Sequence, residues 1–87
     1  MATAFEARYT RQFAADLKKL EPSVQARILR AIETKLLKDP FQHGRKLVGK
    51  SGPGRWRFRV GDYRIRFDIE GRLLFFYRVR HRREVYE

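Results

Sequence analysis

Residues 55–69 read Arg-Trp-Arg-Phe-Arg-Val-Gly-Asp-Tyr-Arg-Ile-Arg-Phe-Asp-Ile, and this stretch decides the fold. Trp56, Phe58 and Val60 alternate with Arg55, Arg57 and Arg59. After Gly61-Asp62, Tyr63, Ile65, Phe67 and Ile69 alternate with Arg64, Arg66 and Asp68. A period of two marks half-buried strands. A two-residue Gly-Asp connection between them marks a hairpin. With that loop, Val60 pairs with Tyr63, Arg59 with Arg64, Phe58 with Ile65 and Arg57 with Arg66. Trp56, Phe58, Ile65 and Phe67 then share the core face, and four arginines share the other.

Downstream, Glu70-Gly71 marks a second turn, and Leu73 to Arg80 is apolar until Arg78. That pattern predicts an interior strand buried on both faces. A two-residue turn would set Arg64 opposite Tyr77. A three-residue turn of Glu70, Gly71 and Arg72 would set it opposite Arg78. The second is preferred, because it matches Ile65 and Phe67 to Tyr77 and Phe75 in the core.

Upstream, residues 4–9 alternate as a short strand, and Thr10 is a plausible helix N-cap. Phe13, Leu17 and Leu20 recur at helical spacing. Glu21-Pro22 ends that helix and starts another, whose stripe is Val24, Ile28, Ile32 and Leu36, ending at Asp39-Pro40. Residues 39–54 read as a long loop carrying Arg45, Lys46 and Lys50, of a length usually functional or mobile. The order strand, helical hairpin, three strands predicts an α+β fold. Its N-terminal strand and antiparallel meander form one mostly antiparallel sheet. The hairpin covers one sheet face and leaves the other open.

Eighty-seven residues make one domain, 1–87. The 21 Lys+Arg against 10 Asp+Glu give a formal net charge of +11, which points to an anionic partner: nucleic acid, membrane surface or acidic protein. An aromatic content of 14% argues against a disordered basic tail. The absence of cysteine removes disulfides, thiolate metal sites and cysteine nucleophiles, and fits a reducing cytosol. No apolar run approaches a membrane span, and no apolar signal segment opens the chain. The expected location is therefore cytoplasmic, with no membrane partner.

From Arg55 onward the chain carries ten Arg and no Lys. Arg presents a planar donor fork suited to phosphate, although GC-rich codon usage would give the same bias. Two directly opposed Arg pairs destabilise a sheet, and an anion relieves that cost. Alternating Arg on an exposed sheet face is often only a solvated face, its stems covering apolar surface. The near absence of carboxylates on this face favours a phosphate site, with Arg78 and Arg80 joining it according to register.

His43, His81 and the scattered carboxylates offer no metal constellation. No cofactor is implied. Ser23 and Ser51 are the only serines, and neither sits in a nucleophile elbow. What remains is acid/base chemistry by Arg, His and Tyr. Tyr86 is a poor base at its ordinary pKa, but neighbouring Arg charges would favour its phenolate. Such a group could take the proton of a ribose 2′-hydroxyl while Arg side chains stabilise the phosphorane. This chemistry would select RNA over DNA. The ordinary readings of Tyr86, a docked terminal aromatic, and of His81, a surface imidazole, stand beside these.

The chain resembles RelE-type toxins of the RelE/ParE superfamily along essentially its whole length. The resemblance rests on the element order, Lys46-Leu47, Gly61-Asp62-Tyr63-Arg64-Ile65 and the ending Arg80-His81-Arg82-Arg83-Glu84-Val85-Tyr86. It implies a metal-independent, ribosome-dependent messenger-RNA endonuclease. Such enzymes cut the A-site codon by 2′-hydroxyl attack, leaving a cyclic phosphate. It also implies inhibition by a cognate RelB-like antitoxin. By the same resemblance Tyr86 is the general base and Arg80 the acid or leaving-group stabiliser. Arg64, Arg57 and Arg59 hold the phosphate; Arg66, from the arginine face of the hairpin, and Lys46 add to that set. The best-known members carry lysines where Arg57 and Arg59 stand, so these two read as electrostatic. Relatives with histidine near His81 use it in catalysis, which makes His81 a second candidate for proton transfer. Two alternatives stay open. ParE-type toxins share the fold but inhibit DNA gyrase, typically without the basic cluster or the terminal tyrosine. A non-catalytic RNA-binding module fits the arginine face equally well.

Overall fold

A computed structural model describes residues 5–84. Its sheet has five strands in the order β1-β5-β4-β3-β2: β1 Glu6–Tyr9, β2 Arg45–Lys46, β3 Trp56–Val60, β4 Tyr63–Glu70 and β5 Leu73–His81. β1 runs parallel to β5 and every other pair is antiparallel. The architecture is the α+β arrangement that the alternation predicts. The stretch 39–54 is more ordered than a plain loop, because it holds a short helix and the two-residue β2.

Thr10 joins β1 to helix α1, Arg11–Lys18. Its hydroxyl accepts from the Phe13 N–H at 3.2 Å and donates to the Phe76 carbonyl at 2.8 Å. Pro22 opens α2, Pro22–Ala31, which continues as a π-helical turn over Ile32–Leu36. Ile28, Ile32 and Leu36 are fully buried, as their four-residue spacing demands, while Val24 is half-buried. They pack on Phe58, Ile65, Phe67, Leu74, Phe76 and Val79 from the sheet. Fully burying one such side chain is worth about 1.5–3 kcal/mol. A short helix α3, Pro40–His43, capped by the Asp39 carboxylate, leads into β2.

The first hairpin has the register read from sequence, from Val60↔Tyr63 through Trp56↔Phe67. The second departs from both readings. Its loop is Gly71-Arg72, and Glu70 pairs with Leu73. Gly61 and Gly71 each take a positive φ, 56° and 59°, at the first loop position. That position is where a type II′ turn needs glycine. A loop of Glu70-Gly71 would put the strained φ on Glu70 instead. Phe67 therefore faces Phe76, not Phe75, with ring centroids 5.7 Å apart.

A β-bulge then shifts the register, so that Arg66 pairs with Arg78 and Arg64 with Arg80. Ile65 lies opposite Val79, not Tyr77. Arg64 lies opposite Arg80, neither Tyr77 nor Arg78. The bulge changes the parity of β5: Leu74, Phe76 and Val79 are buried in the core, whereas strict alternation from Phe76 would have sent Arg78 inward. β5 is an interior strand, but Leu73, Phe75 and Tyr77 on its second face are only half-buried.

β1 ends opposite Phe76, so the next stretch of β5 has no strand on that side. Asp16 of α1 fills this gap. Its Oδ2 accepts from the Val79 N–H at 3.2 Å and from Arg78 Nε at 2.8 Å, and its Oδ1 accepts from Gln12 Nε2 at 3.0 Å. Burial alone would push the Asp16 carboxyl up. The bonds from Arg78, Gln12 and Val79, with the Arg78 charge, outweigh burial and hold its pKa below the usual carboxylate value.

Asp16→Asn is expected to cost about 1–2 kcal/mol at neutral pH, the partly exposed Arg78 side chain limiting the loss. A depressed folded pKa contributes stability that is present above the unfolded value, about 3.9, and lost as pH falls through the folded value. Urea unfolding of both proteins across pH should show a gap that persists to about pH 4 and closes below it. A gap that survives at the acid end would mean the carboxylate's charge contributes nothing.

Candidate functional site

The two registers align arginines across the sheet. One row runs Arg45–Arg57–Arg66–Arg78, the other Arg59–Arg64–Arg80. Neighbours in a row are directly opposed, about 4.5–5.5 Å apart at Cβ, which is destabilising for like charges. Asp16 takes up the Arg78 guanidinium, with a second contact from Nη2 to Oδ1 at 3.3 Å. Asp68 lies on the same sheet face but is engaged with backbone. It accepts from the Gly54 N–H at 2.9 Å and the Arg55 N–H at 2.7 Å. Arg66 Nε donates to the Gly54 carbonyl at 2.8 Å. These bonds pin the 47–55 connection over the arginine face of β4. Gly54 is needed there: its φ is +80°, and a Cβ would stand 3.1 Å from Arg66 Cβ.

The pinned connection and the sheet enclose a cavity of about 280 Å³. Arg64, Arg66, Arg78 and Arg80 line it together with Lys50, Pro53 and Tyr77. Arg64 Nη1 also reaches the carbonyls of Gly61 and Tyr63 at 3.2 and 3.4 Å. Guanidinium groups converging on a recess of this kind can hold a phosphate bidentately and stabilise charge developing on phosphorus.

Not every residue proposed from sequence arrives there. Arg57 lies in the first row, beside Arg66. Arg59 lines a larger groove of about 800 Å³ between α2 and β3, with Arg27, Arg30, Lys35 and His43. Lys46 pairs with Trp56, one pleat out of phase with the arginine rows, and Arg45 takes the place in the row. The lysine that reaches the cavity is Lys50. His81 follows Arg80 and so points to the opposite face. Its ring stacks edge-on against Tyr63 at 5.3 Å, and its Nδ1 accepts from the Arg83 N–H at 3.2 Å. Its own N–H donates to Glu84. His81 thus braces the 3₁₀ turn Arg82–Glu84, which Arg82 N–H ties to the Asp62 carbonyl at 2.7 Å. Tyr86 lies outside the described residues.

Sequence reasoning missed Tyr77 and Pro53 as lining residues and Asp16 as the partner of Arg78. The run Leu73 to Tyr77 is apolar throughout, so no alternation in it marks Tyr77 as facing the arginines. Among the described residues no three His, Asp or Glu side chains come together as a metal site, and no helix is long and apolar enough to cross a membrane.

Comparison with known proteins gives the chain a family. Residues 7–86 match the family described as the ParE toxin of the type II toxin–antitoxin system parDE. Among curated proteins none matches. A chain of the Mycobacterium tuberculosis RelBE2 toxin–antitoxin complex is similar in structure, with a TM-score of 0.81 and 25% identity. The match covers 90% of this chain and 98% of that one. A chain of the Methanococcus jannaschii RelB–RelE complex gives 0.66 at 26% identity, covering 90% and 93%. A chain of the P. aeruginosa chromosomal ParDE system gives 0.67, covering 92% and 98%; at 16% identity this likeness is one of fold alone. With a family match spanning nearly all of its residues and this sheet beneath its arginines, the chain belongs to the RelE/ParE superfamily of type II toxin–antitoxin toxins.

Proposed function

We propose that this toxin is a ribosome-dependent endoribonuclease that cuts messenger RNA in the A site. The observation that carries the reading is the convergence of Arg64, Arg66 and Arg80 on one recess, across two strands whose register forces like charges together. A fold accepts that cost more readily where a phosphate neutralises it. In the reaction the ribose 2′-hydroxyl loses its proton and its oxygen bonds to the adjacent phosphorus. The phosphorus–O5′ bond breaks, and the leaving oxygen takes up a proton from solvent water. The products are a 2′,3′-cyclic phosphate and a 5′-hydroxyl. Arg64 and Arg66 hold the phosphate, Arg80 stabilises charge on the phosphorane and the leaving oxygen, and Tyr86 is the base. His81 fixes the turn that precedes Tyr86 in the chain. No cofactor enters.

The matching family description is that of ParE, which favours a second reading: inhibition of DNA gyrase without RNA cleavage. Purified toxin, given messenger RNA with and without ribosomes, and separately gyrase with relaxed plasmid, tests the two together. Ribosome-dependent cuts with unimpaired supercoiling support the nuclease. Blocked supercoiling with intact RNA supports the gyrase inhibitor.

Arg64→Ala and Arg80→Ala are each expected to lower the ribosome-dependent cleavage rate by about 10²-fold or more. Circular dichroism should remain that of the wild type, because both side chains leave the core. Tyr86→Phe, which removes only the hydroxyl, should lower the rate comparably. A folded Arg80→Ala protein that cleaves at the wild-type rate would sink the assigned roles.

The proposed partner is a RelB-like antitoxin whose acidic segment covers the arginine rows, in the cytoplasm where the ribosomes are. Such a complex should weaken on the order of tenfold between low and physiological salt. Titration calorimetry at several ionic strengths measures this, and a salt-independent affinity would remove the electrostatic part.

A further inference from the structure

We infer that Tyr77 is the wall of a nucleobase slot beside the phosphate recess, and that the toxin's ligand is therefore single-stranded nucleic acid with a base unstacked against this ring. The ligand class rests on the nuclease reading; the slot rests on the geometry of β5. Tyr77 is the residue the bulge leaves without a register partner, since Phe76 faces Phe67 and Arg78 faces Arg66. Bulges re-aim side chains next to functional sites, and here the extra residue lies on the arginine face. The core does not need it, because Phe76 and Val79 on either side fill the helix-facing layer.

The recess holds five cationic side chains and two flat apolar surfaces, Tyr77 and Pro53. A site for a bare anion has no use for those surfaces. A nucleotide has use for both: a phosphate for the guanidinium groups and a π-face for the ring. The ring also lies beside the connection that covers the recess. Tyr77 Cδ2 lies 3.8 Å from the position of a Gly54 Cβ, and Gly54 is fixed by Asp68 and Arg66. Burial pushes the Tyr77 phenol up, and the charges of Asp68 and Glu70 push it further, against a smaller opposite effect from Arg55. The phenol therefore stays neutral and serves as a surface, not as a base.

The test uses the whole toxin and two short oligoribonucleotides of one length, one carrying 2-aminopurine at its centre and one abasic there. Wild type and Tyr77→Phe are expected to bind the base-bearing strand at least about fivefold more tightly than the abasic one, and to quench 2-aminopurine. Tyr77→Leu keeps apolar bulk without a π-face, so it should bind both strands alike and quench little. Tyr77→Met, unbranched and adaptable, takes its place if the leucine variant lacks the wild-type circular dichroism. A variant that keeps the base-to-abasic ratio, or a wild type without one, overturns the slot. So does a polyglutamate peptide whose binding falls with Tyr77→Leu while the RNA ratio stays fixed, since that would make the ring a protein contact. The ratio needs no cleavage. Its presence in a protein that cuts no RNA on ribosomes would support the slot and sink the nuclease reading alone.

Discussion

One residue out of phase in β5 governs how this protein divides its two sheet faces. The strand must bury Leu74 and Phe76 under the helices and also Val79. Those positions do not share a parity, and a strand has no other freedom than to insert a residue. The bulge at Tyr77 is that insertion. It keeps Arg78 out of the apolar core, where an unpaired guanidinium would cost several kcal/mol. It also lines Arg78 and Arg80 up with Arg66 and Arg64. Core packing and the arginine rows therefore have one geometric cause, and neither could be altered without the other.

The rows place like charges directly opposite one another. A sheet of this size in a chain of 87 residues has modest stability to spare, and opposed arginines subtract from it. Asp16 and Asp68, both buried, each brace backbone: Asp16 accepts from the Val79 N–H at the edge left by β1, and Asp68 from the Gly54 and Arg55 N–H groups of the covering connection. Only Asp16 also takes a guanidinium from the rows. The acids thus act as braces that fix the strand edge and the lid of the recess. Their one ion pair with the recess is Asp16–Arg78, which offsets a single charge of the five there. A site that keeps its field is suited to an anion arriving from outside.

Much of this was legible in the sequence, because the strongest signals were local. Gly61-Asp62 between two alternating runs fixes a turn, and the turn fixes the pairing of Arg57 with Arg66 and Arg59 with Arg64 without further information. The helical hairpin follows from Pro22 and the Ile28, Ile32, Leu36 spacing. The second hairpin resisted for a physical reason. Leu73, Leu74, Phe75, Phe76 and Tyr77 are all apolar, so every register places something hydrophobic inside, and the preferred one put Phe75 and Tyr77 there. The decisive fact, glycine at the first loop position as in the first turn, was available at Gly71. The bulge was not, since an inserted residue leaves no mark in a run with no alternation. Lys46 and His81 each sit one residue from an arginine of the rows, Arg45 and Arg80, and neighbours in a strand face opposite ways.

The residue types in the rows also limit what they can do. Guanidinium stays protonated at any physiological pH, so the arginines of the recess orient, attract and stabilise charge but exchange no proton with a ribose hydroxyl. Burial pushes the Tyr77 phenol up, which disfavours its phenolate. His81 is turned from the recess with Nδ1 engaged by the Arg83 N–H. If the nuclease reading holds, recognition and proton transfer are therefore divided between two parts of the chain. The rigid sheet supplies the field, and the segment after the Arg82–Glu84 turn supplies the base at Tyr86. That division would let one arginine sheet serve toxins of different chemistry. On that reading the sheet alone would bind anions, and the terminal tyrosine would be what makes a bound phosphate reactive.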